Sequence, residues 1–123
     1  MFDHIGLRTV NLSASREFYT AALAPLGFGL CYEDEATAGL GPADSPALWL
    51  HAATPGTSSR MHLALAAPNR SAVDAFYVAA MANGATDNGA AGLRTDYGAN
   101  YYAAFVLDPD GNNLEAVFQG EAS

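Results

Sequence analysis

Basic residues are scarce in this chain: 5 against 13 acidic ones in 123 residues, a formal net charge of −8. There is no Lys/Arg patch and no aromatic stacking motif among basic residues. A phosphate backbone would be repelled, so a nucleic-acid partner is not expected. Cysteine is nearly absent as well. Cys31 stands alone, which excludes an intrachain disulfide and a CxxC site and suits a reducing compartment. Its neighbours Leu30 and Tyr32 offer no activating group, so it reads as structural. No apolar run approaches the ~18 residues of a membrane span. The start, Met1-Phe2-Asp3-His4, lacks the basic-then-apolar pattern of a secretory leader. A cytoplasmic protein is therefore expected. The glycine-rich stretch 84–92 has no GxGxxG and no Lys-Ser/Thr partner, so it is not a phosphate loop. Asp108 and Asp110 lack the remaining EF-hand ligands and read as turn formers.

What is present is a repeated order of elements in a chain long enough for one compact domain. Residues 2–10 alternate as a strand, with Ile5, Leu7 and Thr9 on one face and His4, Gly6, Arg8 and Val10 on the other. Asn11 and Ser13 offer caps for a helix over 14–25, with Ala14, Phe18 and Ala22 as its apolar stripe. Strands follow at 28–33, 37–40 and 47–52. Thr54 to Ser59 has linker composition. The order then restarts: a strand over 60–66, a helix over 72–82 with Val73, Phe76, Tyr77, Ala80 and Met81 facing the core, and Ser71 with Asp74 as a weak capping box. The stretch 84–92 has room for one short strand. Strands at 101–107 and 112–118 flank the turn Asp108-Pro109-Asp110-Gly111. The division is module 1 at about 2–52, a linker at 53–59 and module 2 at about 60–118. Charged residues make up only 15% of the chain against 50% hydrophobic ones. That balance leaves apolar surface for a homodimer interface.

Glu115 is the residue to explain. It sits in the otherwise apolar run Leu114-Glu115-Ala116-Val117-Phe118, and a carboxylate is costly to bury without a partner. His4 and His62 open the two halves in similar strand contexts. The chain is expected to bring these three together. On the residues alone, the alternative is a wet strand face for Glu115 and filler roles for the histidines.

These stretches carry a family likeness. His4-Ile5-Gly6-Leu7-Arg8-Thr9-Val10, Ser15-Arg16-Glu17-Phe18-Tyr19 and Leu26-Gly27-Phe28 resemble the opening strand, helix and continuation of the vicinal oxygen chelate superfamily. This is the glyoxalase, bleomycin-resistance and dioxygenase fold. Phe105 through Glu115 is similar to its closing signature. The resemblance implies an α+β fold of two βαβββ modules forming a cupped mixed sheet around a cavity. It implies a divalent metal (Zn, Ni, Mn or Fe) held by His4, His62 and Glu115, with Glu115 also catalytic. His51 is a further candidate if its strand register faces the cavity.

Two imidazoles and a carboxylate leave open metal positions for a chelating small molecule. That points to a lyase, isomerase or dioxygenase type of enzyme. The alternative is a metal-free, drug-sequestering binder with the same fold. Trp49, His51, Arg94, Tyr97 and Tyr101 are the candidate pocket residues. Asn100 and Tyr102 lie beside them, and the arginine–tyrosine mixture suits an anionic or aromatic ligand. The modules pair within a chain or across a dimer. In the second case His4 and His62 reach a shared site from different subunits.

Overall fold

A computed structural model describes residues 1–121. Its fold is α+β, and each half has a sheet with one helix on it. In the first half, β1 (Ile5–Thr9), α1 (Leu12–Leu23) and a 3-10 turn (Ala24–Leu26) lead to β2 (Gly29–Glu33), β3 (Thr37–Gly41) and β4 (Leu48–Ala52). The second half has β5 (His62–Ala66), α2 (Arg70–Ala82), two two-residue strands β6 (Thr86–Asp87) and β7 (Gly92–Leu93), then β8 (Tyr102–Leu107) and β9 (Asn113–Phe118). The sheet orders match: β1-β4-β3-β2 and β5-β9-β8, with β6 and β7 sharing the far edge of β8. In each sheet the first and last strands of the module pair in parallel and the other pairings are antiparallel.

Alternation along the strands decides what each face carries. Leu7, Thr9, Leu48 and Leu50 in the first sheet are buried on the helix side, as are Leu63, Leu114 and Ala116 in the second. Gly6, Arg8 and His51 point away from the helices and are exposed, as is His62. The helices bury stripes set by 3.6-residue spacing: Ser15, Phe18, Tyr19, Ala22 and Leu23 on α1, and Ala72, Val73, Phe76 and Ala80 on α2. Ala14 and Met81, expected in those stripes, are exposed. Asn11 caps α1 by accepting from the Ala14 amide, and Asn69 rather than Ser71 caps α2 by accepting from the Ala72 amide. Ser71 instead donates to the Asn69 side chain.

The halves meet chiefly through α1, the 3-10 turn and α2, in one continuous core. The helices thus lie between the sheets, and the helix-free face of each sheet turns outward. A buried polar seam ties the halves together. Tyr19 donates to Asp108 Oδ2 at 2.5 Å. Asp108 Oδ1 accepts the Asp110 and Asn112 amides, and Asn112 Oδ1 accepts the Met61 amide. Asp110 accepts from the Val10 amide and the Ser15 hydroxyl. Asp108 and Asp110 therefore form the turn, as expected, and also fasten it to the other module. Among the described residues, no helix is long and apolar enough to cross a membrane.

Candidate functional site

The β8–β9 hairpin positions the site. Its turn sets the register, and that register pairs Phe105 with Glu115 and Leu107 with Asn113. Period-two alternation then puts Asn113, Glu115 and Phe105 on one face. The parallel partner β5 adds His62 beside Asn113. This is the helix-free face of the second sheet.

Glu115 is only 2% exposed, and both of its oxygens are engaged. Oε1 lies 3.1 Å from His62 Nε2. Oε2 accepts a hydrogen bond from the Tyr101 hydroxyl. The cost of burying the carboxylate is met by an imidazole and a phenol. The hydrogen bond to Glu115 and, second to it, burial push the Tyr101 hydroxyl up to about 12. His62 Nδ1 lies 3.2 Å from the Asn113 carbonyl. A proton on Nδ1 satisfies that contact and leaves Nε2 facing Oε1, where a second proton or a cation has to lie between the two. The His62 ring stacks on Phe105 with centroids 6.4 Å apart, and Tyr97 meets Tyr101 edge-on at 5.2 Å. An open cleft of about 420 Å³ is lined by His62, Tyr97, Tyr101, Phe105, Asn113 and Glu115.

His4 lies elsewhere. It precedes β1, is exposed, and has Nδ1 2.6 Å from Asp3 Oδ1. It borders a separate apolar cavity of about 200 Å³ with Leu23, Phe28, Leu48 and Leu63. Among the described residues, no three His, Cys, Asp or Glu side chains gather within one chain. The expected convergence of His4, His62 and Glu115 inside a single chain is therefore not met. The physical reason is the helix-to-helix packing of the halves, which turns the helix-free faces of the two sheets away from each other.

His51 and Trp49 share the outward face of the first sheet. His51 stands beside Gly6, where an added Cβ would come within 3.4 Å of its ring. Trp49 packs on Tyr32 and over Gly39, where a Cβ would lie 2.9 Å from the indole. Neither lines the His62–Glu115 cavity. Arg94 does not line it either. Its guanidinium sits 5.4 Å from the Phe105 centroid and donates to the Ala90 carbonyl at 2.5 Å. Tyr102 turns to the helix side and donates to Asp74. Phe105 and Asn113 were not anticipated as wall residues. The signal was present, because the Asp-Pro-Asp-Gly turn places both on the face of Glu115.

His62 and Glu115 suit a divalent cation in part. Imidazole nitrogen and carboxylate oxygen are donors for Zn, Ni, Mn or Fe. Their 3.1 Å separation is that of adjacent ligands on a metal with bonds of about 2.1 Å at right angles. Among the described residues, no third His, Cys, Asp or Glu of the same chain joins them.

The family model for the Glyoxalase/Bleomycin resistance protein/Dioxygenase superfamily matches residues 1–116. A glyoxalase/bleomycin resistance protein from Albidiferax ferrireducens T118 is 28% identical, with a TM-score of 0.80 over 95% of this chain and 97% of that one. A glyoxalase/bleomycin resistance protein/dioxygenase family enzyme from Burkholderia phytofirmans PsJN, at 22% identity, has a TM-score of 0.70 over 96% and 98% of the two chains. A glyoxalase-related enzyme from Fulvimarina pelagi, at 20% identity, has a TM-score of 0.69 over 97% and 94%. The last two likenesses are of fold alone. No protein of curated function matches. With the match running from the first residue through Glu115, the chain belongs to the glyoxalase/bleomycin resistance protein/dioxygenase superfamily.

Proposed function

We infer that this protein acts on a small molecule as a cytoplasmic homodimer. His62 and Glu115 of one subunit, with His4 of a second copy, hold a divalent cation. The observation that carries this reading is the pair itself: a buried carboxylate and an imidazole 3.1 Å apart on an outward sheet face, with an aromatic-walled cavity over them. The topology supports the second copy. β1, which follows His4, and β5, which carries His62, are each the outer strand of their sheet. Two copies meeting along these edges would join the faces that one chain turns apart, and would close a cup. Trp49 and His51 would then line its other wall.

The cation would supply Lewis-acid polarisation of an oxygenated ligand, the chemistry of lyases, isomerases and dioxygenases built on such donor sets. The chain's own groups do the rest. Asn113 O holds His62 in the tautomer that offers Nε2. Phe105, Tyr97 and Tyr101 offer ring faces on which a planar ligand stacks. With Oε1 toward the cation and Oε2 held by Tyr101, Glu115 serves as a donor to the cation rather than as a base. The same aromatic walls favour a second reading, sequestration of an aromatic compound without chemistry.

Metal analysis of protein purified without chelator tests the first reading. The expected result is one cation per subunit, lost in His4→Ala, His62→Ala and Glu115→Gln. Mixing His4→Ala with His62→Ala separates the two architectures. A heterodimer has one site with both histidines intact, so about a quarter of the wild-type sites return at statistical exchange between equal amounts. A site within one chain would return none. A metal-free wild type that binds aromatic compounds would select the second reading.

A further inference from the structure

We propose that Tyr101 is a positioning residue: it occupies Glu115 Oε2, so that the carboxylate presents Oε1 alone, beside His62 Nε2, to a cation. This rests on the reading of His62 and Glu115 as cation donors. A carboxylate in a cavity can turn about its last bond and hold a cation through one oxygen or both. Here the phenol hydroxyl takes one oxygen and His62 faces the other.

Tyr101 is itself fixed. Its carbonyl accepts from the Arg94 amide at 2.7 Å and its amide donates to the Gly98 carbonyl at 3.2 Å, so residues 94–101 form a closed loop. Tyr97, at the loop's crest, braces the Tyr101 ring. Arg94, at its base, rests on Phe105, which pairs across the hairpin with Glu115 itself. Loop, phenol and carboxylate thus form a closed circuit of contacts. The consequence is chemical. A carboxylate held to one oxygen uses one coordination position instead of two and leaves an additional one for the ligand. Arg94, expected to recognise a ligand, serves the site through Phe105.

The test is a Co²⁺ titration of the full-length protein, read by visible absorption, for wild type, Tyr101→Phe and Tyr102→Phe. Tyr101→Phe should change the intensity of the band as the freed carboxylate turns to bind through both oxygens, and should shift the Co²⁺ affinity by about 10-fold or more. Tyr102→Phe, which loses a hydroxyl bonded to Asp74 on the helix side, should leave band and affinity within about twofold of wild type. An unchanged band in Tyr101→Phe overturns the proposal, because the phenol would then be idle. An equal change in Tyr102→Phe also overturns it, pointing to general damage to the strand. A wild type that takes up no Co²⁺ removes the cation site itself, a distinct failure.

Discussion

Tyr19 carries a hydroxyl into the seam between the modules, where it is 1% exposed and bonded to Asp108. Burial and, after it, the charge of Asp108 raise its pKa well above the ordinary 10.0. A raised folded value contributes stability that is fully present below pH 10 and is lost as pH climbs toward the folded value. Above pH 10 the unfolded chain releases this proton and the folded chain does not. The stability of wild type should therefore fall more steeply with pH than that of Tyr19→Phe, by up to about 1.4 kcal/mol per pH unit. Urea denaturation from pH 8 to 11 measures it. At neutral pH, Tyr19→Phe should cost roughly 1–3 kcal/mol by leaving a buried acceptor short of a donor. The turn role of Asp108 was legible in the sequence, because its neighbours are local. Its bond to a residue 89 positions away was not.

Caps and turns hold the elements to the register on which the site depends. Asn69→Ala should lower stability by about 1 kcal/mol through the lost cap of α2, with Ser71→Ala costing less. Thermal unfolding of the two variants side by side checks that ranking. Gly111 closes the β8–β9 turn at φ +90, and an added Cβ would fall 2.6 Å from the Arg60 guanidinium. Gly111→Ala should cost roughly 1–3 kcal/mol in backbone strain and loosen the hairpin that places Glu115. Its denaturation midpoint and its aromatic near-ultraviolet signal report both effects. The longer elements could be read from apolar alternation and caps. The strands β6 and β7 could not be resolved, since two residues carry no period. They exist because Thr86 and Asp87 pair with Leu107 and Val106, and Gly92 and Leu93 with Ala103 and Tyr102.

At the scale of the molecule, the decisive feature is that the helices pack between the two sheets. That leaves half of the proposed site on each outward face, so the proposed function requires assembly. Trp49 is the sole tryptophan and lies on the first sheet's outward face. Dilution through the dimer's dissociation range should shift its emission to the red as that face meets water. Wild type unfolding should also become concentration-dependent. An emission spectrum and midpoint constant over a hundredfold dilution would mean that this face is not covered by a second copy.

The sequence by itself determined the order of the longer elements, the family, and the two faces of β1, because alternation, caps and turn residues act over a few positions. It also singled out Glu115 as a carboxylate needing company. Only the tertiary structure decided which company it has. The pairing of His62 with Asn113, 51 positions away, gives it the imidazole, and the 94–101 loop gives it Tyr101. His4 stays on the other sheet because the large apolar faces of α1 and α2 bury against each other. That burial outweighs any attraction among three polar side chains, and no local pattern records which of two faces a helix pair will cover.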